Sequence, residues 1–222
     1  MIADLLTAAL AEEIAAAPDL RVFVPTTPAT DVAARAAREL GAARLALARG
    51  FTDLDAGQRG SVLDVFTLLN RGRLGVAVTP IQLDAAGRTN LSGIGPVGRP
   101  KAAMIGPRGL PENNDTPSPL WYLVPQHSPR TLVARVDMVC GPAPSGRGPR
   151  VLLTAAGRFE LREGVWHLTW ITEDGADMIN DTPEFAIETP SRLPIVKEPN
   201  AETLAVLERV DPKGVRRREF GE

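Results

Sequence analysis

Residues 82–90 form the first of three segments whose side chains could do chemistry. This segment combines Gln82, Asp84, Gly87 and Asn90. A carboxylate between two amides can serve a binding site. It can equally stabilise a strand followed by a turn, because Asp and Asn side chains bond to nearby backbone. The residues alone leave both interpretations open.

Residues 105–115, IGPRGLPENND, form the second segment. Gly106 and Gly109 flank Arg108, so the backbone could approach a ligand closely there. Backbone N–H groups beside a glycine can also bind an oxyanion or a phosphate. The segment lacks the Gly-Lys-Ser/Thr of a P-loop and the glycine pattern of a dinucleotide-binding turn. A plain Gly/Pro loop is the alternative.

Residues 126–137, QHSPRTLVARVD, form the third segment. His127 and Ser128 are adjacent, and adjacent residues do not make a catalytic pair, because its two members must face each other in space. A hydrogen-bonded structural histidine is therefore the alternative for His127. Asp137 falls inside an apolar stretch, where a carboxylate must find hydrogen bonds. Nothing beside Cys140 in the sequence would activate it as a thiolate.

Composition limits the classes of protein that can hold these segments. The chain has 222 residues, of which 44% are hydrophobic and 23% charged, with a net charge of -2. These values predict one folded domain over residues 1–222 and argue against a nucleic-acid partner. The single cysteine excludes an internal disulfide, and the sequence has no Cys/His cluster that could bind a metal. The absence of disulfides fits a reducing, cytoplasmic location. No run approaches the roughly 18 apolar residues of a membrane span.

The first third of the chain alternates helices with short apolar strands. Apolar residues at helical spacing predict a first helix from Ile2, a second helix capped by Thr30 and a third that starts at the Ser-x-x-Asp of Ser61. Strands are predicted over 21–24, 44–48 and 74–79. Parallel strands need helical crossovers, so the alternation predicts helices packed on a parallel sheet.

From about residue 87 the composition changes, and the alternation of helices and strands ends. Residues 87–129 are rich in Gly and Pro and lack helical periodicity, which predicts a long loop. Strands are expected over 131–140, 151–155, 158–161 and 165–171, the last three in antiparallel or mixed pairing. Asn200 can cap a final helix. The basic tail VRRREFGE is expected at the surface.

The three segments, in this order and spacing, resemble the β subunit of the class I CoA-transferase family. The family pattern Q-x-D-x-x-G-N-x-N is matched by Gln82, Asp84, Gly87 and Asn90, with a departure at Arg88, where the family has Asn. The Gly106–Gly109 segment and the strand QHSPRTLVARVDMV follow as in the family. These matches span residues 74–141.

One branch of the family is more similar. Arg99-Pro100, Gly106, Arg108-Gly109, Pro111, Asn113 and the ending VDPKGVRRREF resemble the steroid ring-opening CoA hydrolases, which act on CoA thioesters in steroid catabolism. Classical transferases attack the acyl-CoA with the Glu of an S-E-N-G motif. The stretch LARG aligns with that motif and puts Ala48 at the Glu position, with Asp53 and Asp55 nearby. Ala cannot form an acyl anhydride, and in the ring-opening branch the essential carboxylate belongs to the α subunit.

The resemblance implies the following expectations. The fold is α/β, with an open mixed, largely parallel sheet flanked by helices. The chain pairs with a CoA-transferase-family α subunit, as αβ or α2β2, and the complex acts on an acyl-CoA substrate. Coenzyme A enters as part of that substrate. No cofactor or metal is expected to be bound permanently. The expected catalytic residues are Arg108, Gly109 and His127. The expected substrate-binding residues are Gln82, Asp84, Asn90, Gly106 and Asn113.

Hydrolysis that opens a ring is favoured over CoA transfer by the missing Glu. Two alternatives stay open. One is a true CoA-transferase β subunit, in which Asp53 or Asp55 replaces the Glu. The other is a non-catalytic scaffold that stabilises an active α chain.

Overall fold

The computed structural model describes residues 1–49, 53–55, 59–104, 106, 113–145 and 147–222, except the side chain of Arg49. Arg108 and Gly109 lie outside these residues. The chain divides into two compact units, one of residues 1–78 and 197–222 and one of residues 79–196. A single domain over 1–222 stays a prediction.

Six helices are seen in the described part of the chain. They are α1 (Ile2–Ala15), α2 (Pro28–Glu39), α3 (Val62–Asn70), α4 (Gly175–Asn180), α5 (Ala201–Val210) and α6 (Val215–Phe220). The strands are β1 (Val22–Val24), β2 (Ala46–Arg49), β3 (Asp53–Leu54), β4 (Leu74–Val78), β5 (Gln82–Asp84), β6 (Thr89–Asn90), β7 (Gly93–Ile94), β8 (Ala102–Ala103), β9 (Leu120–Val124), β10 (Leu132–Val133), β11 (Arg150–Thr154), β12 (Gly157–Arg162), β13 (Val165–Ile171) and β14 (Ile187–Glu188).

The first unit has the predicted alternation of helices and parallel strands. Its strand order is β4-β1-β2-β3, with β1 parallel to both β4 and β2, and β3 antiparallel to β2. Helix α2 starts one turn earlier than expected: Thr27 is the N-cap, and Thr30 is its reciprocal partner. Five alanines of α2 are fully buried, so this helix approaches its neighbours closely; they are Ala29, Ala33, Ala34, Ala36 and Ala37.

The C-terminal tail corrects one expectation. Arg216 is 0% exposed, although the tail was expected at the surface. Its guanidinium donates to Asp4 at 2.8 Å, to Asp211 at 3.1 Å and to Glu208 at 2.6 Å. A charge pattern alone does not reveal this, because Asp4 lies 212 positions before Arg216 in the sequence.

The second unit contains the remaining strands. Five of them lie in the order β14-β13-β12-β11-β9. Strand β9 is parallel to β11, and β14 is parallel to β13. Between them, β11 pairs with β12 and β12 with β13 as antiparallel hairpins. Smaller sheets pair β10-β5-β6 and β7-β8. The α/β class with a mixed, largely parallel sheet is confirmed.

Two expectations about the second unit are wrong. The proposed loop 87–129 contains four strands, including β9, whose five residues are all buried. The proposed strand 131–140 is reduced to Leu132–Val133. Beyond it, the N–H groups of Val136 and Asp137 donate to the side chains of Asp84 and Gln82 and not to a neighbouring strand.

The described residues contain neither a candidate membrane span nor a candidate metal site. No helix there is both long and apolar enough to cross a membrane. No group of three or more His, Cys, Asp or Glu side chains within the same residues could hold a metal ion.

Candidate functional site

Gln82 and Asn90 face each other across the antiparallel pair β5–β6. The Asn90 amide donates from Nδ2 to Gln82 Oε1 and to the Gly93 carbonyl, both at 2.7 Å. Asn90 Oδ1 accepts from the N–H groups of Ser92 at 3.0 Å and Gly93 at 3.3 Å. Both side chains are buried. They therefore fix the backbone turn over residues 90–93.

Asp84 is a fully buried carboxylate with a complete set of donors. Its Oδ1 accepts from the N–H groups of Ala86 and Arg88 at 3.0 Å each. Its Oδ2 accepts from Arg88 Nε at 2.7 Å. Gly87 is required inside this turn, since its φ is +78° and a Cβ there would lie 2.7 Å from Leu161 Cδ2. Asp84 thus stabilises the turn as an ion pair with Arg88.

Gly106 lies beside the turn that Asn90 builds. Its N–H donates to the Leu91 carbonyl at 3.2 Å, and the N–H of Met104 donates to the Ser92 carbonyl at 2.8 Å. The φ of Gly106 is +88°, a conformation that favours glycine. Hydrogen bonds through residues 91–93 therefore join the predicted residues Gln82, Asn90 and Gly106. Gly106, near the start of the 105–115 segment, is held by the turn that Asn90 builds.

Asn113 and Asn114 follow the same segment on its other side. Asn114 is buried and donates from Nδ2 to the carbonyls of Gly87 at 3.3 Å and Pro142 at 2.6 Å. Its Oδ1 accepts from the Tyr122 hydroxyl at 3.3 Å. The turn of Asp84 and the start of residues 113–118 are joined by these bonds. By contrast, Asn113 Oδ1 is buried and has no hydrogen-bond partner among the described residues.

Arg150, at the start of β11, was missed by the sequence reasoning. Its side chain lies in the core and donates to carbonyls of residues 113–118 and to Pro149. The signal was present in the sequence, because an arginine at the edge of the apolar run Val151–Thr154 must find several acceptors.

His127 is held by two threonine hydroxyls. Its Nε2 lies 2.9 Å from Thr182 Oγ1, and its Nδ1 lies 3.0 Å from Thr154 Oγ1. Thr182 Oγ1 also lies within hydrogen-bond distance of the Ile179 carbonyl, so donation to that carbonyl leaves it an acceptor for a proton on Nε2. Thr154 Oγ1 accepts from the Ala156 N–H and can donate to Nδ1. The neutral Nε2–H tautomer satisfies every partner.

The environment of His127 favours that neutral form. The side chain stacks on Phe159, with ring centroids 5.7 Å apart. Burial lowers the pKa of His127 to about 4. Thr154 and Thr182 engage its two ring nitrogens, so within the described residues this histidine is not hydrogen-bonded to Gln82, Asp84 or Asn90.

Cys140 joins the Asn90 turn, which the sequence did not reveal. Its Sγ accepts from the Leu91 N–H at 3.3 Å, lies 3.0 Å from Ser92 Oγ and lies 3.7 Å from Asn90 Oδ1. The thiol is buried. These contacts give Cys140 a packing role beneath the turn.

The first unit holds the residues that bear on the transferase alternative. Ala48 is buried on β2 and pairs with Leu54 of β3. Asp55 accepts from Arg38 Nη1 at 2.6 Å and from the Leu47 N–H at 3.1 Å, so its carboxylate is engaged. Asp53 is exposed, with Arg59 Nε at 3.8 Å.

Comparisons with known proteins agree with the sequence resemblance. No protein-family model matches the chain. The chain is 28% identical over 172 residues to the cholesterol ring-cleaving hydrolase IpdB subunit of Rhodococcus jostii (strain RHA1); the match covers 70% of this chain and spans 66% of that relative's length.

Solved structures share the fold over nearly the whole chain. A chain of the decarboxylase AibA/AibB has a TM-score of 0.84 at 25% identity, covering 100% of this chain and 99% of that chain. Rhodococcus jostii RHA1 IpdAB has a TM-score of 0.82 at 23% identity, covering 99% and 98%. Glutaconate coenzyme A-transferase from Acidaminococcus fermentans has a TM-score of 0.77 at 16% identity, covering 94% and 93%. The chain is thus a homologue of the IpdB subunit with a coenzyme A-transferase fold.

Proposed function

From this homology we propose that the chain is the β-type subunit of a heteromeric, cytoplasmic enzyme that opens a ring of a steroid-derived CoA thioester by hydrolysis of a carbon–carbon bond. The observation that carries the proposal is the match to the cholesterol ring-cleaving IpdB subunit over 172 residues. Ala48 at the position of the transferase nucleophile agrees with it, because a CoA-transferase must hold CoA on a carboxylate between half-reactions.

The chemistry we propose needs water and a base. Water adds to a ring carbonyl that lies β to the thioester, and the base takes a proton from that water. The bond between the carbonyl carbon and the α-carbon then breaks, its electron pair moves to the α-carbon as a thioester enolate, and protonation of that carbon completes the reaction. The product is one ring-opened molecule that carries a new carboxylic acid and keeps its CoA thioester. We assign the base to a carboxylate of an α-type partner subunit.

The residues of this chain would bind and orient the substrate. Arg108 would pair with a carboxylate through its planar guanidinium, and the backbone at Gly109 would polarise a carbonyl oxygen. Asn113 would offer its unpaired Oδ1 to a donor on the substrate. Gln82, Asp84, Asn90 and Gly106 would hold the backbone on which these groups stand.

His127 would support the site indirectly. Both of its ring nitrogens face threonine hydroxyls, and burial keeps the ring neutral. We therefore propose that it positions the end of β11, where Thr154 lies, and does not exchange protons with the substrate.

The test is co-expression of the chain with an α-type CoA-transferase subunit encoded beside it. We expect one co-eluting complex that converts a cyclic β-keto acyl-CoA into a ring-opened acid, with oxygen from labelled water in the new carboxylate. Turnover by this chain alone, or release of the acyl group from CoA with the ring intact, would contradict the proposal.

Loss of carbon dioxide is the second candidate reaction, because the AibA/AibB decarboxylase matches this chain over its full length. The same complex should be offered an acyl-CoA that carries a free carboxylate. Carbon dioxide release without ring opening would favour that reaction.

CoA transfer is tested separately. The complex would be incubated with acyl-CoA and quenched with borohydride, and its peptides would be mapped by mass spectrometry. A reduced side chain at Asp53 or Asp55 would restore the transferase interpretation. A complex that assembles yet has the same turnover when loop residues of this chain are replaced would leave only the scaffold role.

A further inference from the structure

We propose that Arg150 is a positioning residue for this enzyme: its guanidinium holds the backbone of residues 113–118 and thereby orients Asn113 toward the substrate. The inference rests on the proposed function. It concerns a residue that neither the sequence resemblance nor the comparisons assign.

The geometry of the guanidinium carries the inference. Nη2 donates to the carbonyls of Asn113 at 2.8 Å, Asn114 at 2.9 Å and Thr116 at 2.9 Å. Nη1 donates to the carbonyls of Ser118 at 2.8 Å and Pro149 at 3.0 Å. Residues 113–118 hold no more than a short helical turn and bends, so one cation serves as the common partner of several of their carbonyls.

The burial of this cation makes the arrangement specific. Arg150 is 2% exposed, and burial lowers its pKa below the ordinary value, while Tyr122 and Asp115 oppose that shift. A buried charge is tolerated only where hydrogen bonds replace its water. If the loop moved, several donors would lose their acceptors at once, and the loop conformation is therefore strongly restrained.

The restrained backbone leads directly to a predicted site residue. One of the carbonyls that Arg150 holds belongs to Asn113, whose own Oδ1 is buried and has no partner in the described part of the chain. Asn114, next in the chain, is tied through Gly87 to the turn of Asp84. Fixing the backbone at 113 and 114 limits the directions in which the Asn113 amide can point. Preorientation of such a group is worth large factors in turnover.

Lysine cannot replace this arrangement. Its ammonium offers three donors from one point, whereas the guanidinium offers five in a planar fork. Arg150→Lys therefore keeps the charge and loosens the loop. In the assembled complex, well below its melting temperature, we expect kcat to fall by about tenfold or more, with a smaller change in KM. Amide hydrogen exchange should accelerate in residues 113–118 and stay unchanged in β12 and β13.

A double-mutant cycle separates positioning from general stability. If Arg150 acts through Asn113, then Asn113→Ala should lower kcat, and adding Arg150→Lys to that variant should lower it by less than about twofold more. A residue that only stabilised the fold would give independent, multiplicative effects. Arg158→Lys is the matched control, because Arg158 lies in the same unit and contacts Glu160 and Thr169.

A second variant disturbs the loop with Arg150 intact. A Cβ on Gly148 would lie 2.5 Å from the Pro117 carbonyl oxygen and 2.9 Å from Arg150 Nη1. Gly148→Ala should therefore lower kcat and accelerate exchange in residues 113–118, as Arg150→Lys does. Gly98→Ala is the control, because a Cβ there meets nothing within 4 Å. This variant decides the question if Arg150→Lys does not assemble.

The outcomes distinguish this inference from the function it rests on. Unchanged kcat in Arg150→Lys and in Gly148→Ala, with an active wild-type complex, would overturn the role of Arg150 alone. Fully multiplicative effects in the cycle would also overturn it. A wild-type complex that opens no ring on any acyl-CoA would overturn the proposed function, and with it a role for Arg150 in that reaction.

Discussion

Arg88 stands where the CoA-transferase pattern has asparagine, and its partner explains the substitution. The side chain of Asp84 is fully buried, and Arg88 supplies the cation that neutralises it at 2.7 Å. An amide at position 88 would leave the buried carboxylate with neutral donors only, which is costly for a charge away from water. At this residue, a departure from the pattern therefore stabilises the turn that Asp84 builds.

Arg108 is the residue whose role depends most on the identity of its side chain. Arg108→Lys keeps the charge and removes the bidentate fork. We expect kcat/KM for a substrate that carries a carboxylate to fall by about tenfold or more while the complex still assembles, since hydrogen bonds to charged groups are worth about 1.5–3 kcal/mol. Steady-state kinetics and gel filtration measure the two effects. Arg147→Lys is the control, and unchanged kinetics in Arg108→Lys would make Arg108 a surface residue.

His127 should make stability depend on pH in a defined window. Burial lowers its pKa from 6.5 to about 4, so between these values the unfolded chain binds a proton that the folded chain does not. Stability should therefore fall as the pH falls from 6.5 to 4, by up to about 3 kcal/mol, and this loss should level off below. Urea unfolding followed by tryptophan fluorescence measures it, because Trp121, Trp166 and Trp170 all lie in the same unit.

Two variants check the origin of that pH dependence. His127→Gln can bond to both threonine hydroxyls and does not titrate, so the slope between pH 4 and 6.5 should flatten. His167→Gln, on β13, is the matched control because it leaves His127 in place. An equal slope in wild type and His127→Gln would mean that another group titrates there.

At the scale of elements, the sequence predicted structures that depend on local signals. The capping box of Ser61 and Asp64 starts α3, and Asn200 caps α5, both as predicted, since each needs only residues a few positions apart. The Gln82–Asn90 cluster was also found, but only through its resemblance to a family. Its residue types were compatible with a plain turn, and their hydrogen bonds show that they build one.

The errors arose where distant residues decide the structure. LWYLV is a continuous apolar run, as buried parallel strands are, but the prolines on both sides outweighed that signal. The stretch after Val133 alternates apolar and polar residues as a strand does. Its N–H groups at 136 and 137, however, donate to the side chains of Asp84 and Gln82 and are therefore not paired with a neighbouring strand. Arg150 was missed for the same reason, because the carbonyls it holds lie more than thirty positions earlier for four of its five bonds.

The alanine face of α2 gives a prediction for a whole element. Ala33 is fully buried on this helix, which packs against α1. Ala33→Leu adds three carbons where there is no room, so we expect a loss of about 1–3 kcal/mol. Ala201→Leu, at the exposed first position of α5, is the control and should change stability by less than about 0.5 kcal/mol. Thermal unfolding followed by circular dichroism measures both, and equal melting temperatures for the two variants would contradict close packing at Ala33.

At the scale of the whole molecule, the two ends of the chain are held together within the first unit. Asp4 of α1 accepts from Arg216 at 2.8 Å and from Arg217 at 3.0 Å. Although burial would raise the pKa of Asp4, hydrogen bonds from Arg217 and Arg216 lower it. Burial likewise opposes the lowered pKa of Asp211, which comes from bonds donated by Val215 and Arg216. The C-terminal helix is thus an integral part of this unit.

Arg216→Met tests this ionic cluster. It should lower stability by about 3–5 kcal/mol at pH 7, because Asp211 stays buried without its cation and Asp4 keeps only Arg217. Arg218→Met, on the same helix but exposed, should have little effect. Chemical unfolding followed by far-ultraviolet circular dichroism compares the two.

The pH dependence of that loss identifies its electrostatic origin. In the wild type, carboxyl groups with lowered pKa values stabilise the fold above their ordinary value of 3.8, and this stabilisation is lost as the pH falls through the folded-state pKa. In Arg216→Met, Asp211 lacks its cation and Asp4 keeps only Arg217, so their pKa values should be higher and acid should destabilise the variant less. The difference between wild type and Arg216→Met should therefore shrink from pH 7 to pH 3.5. A difference that stays constant over this range would mean that Arg216 stabilises the unit by packing of its long side chain and not by its charge.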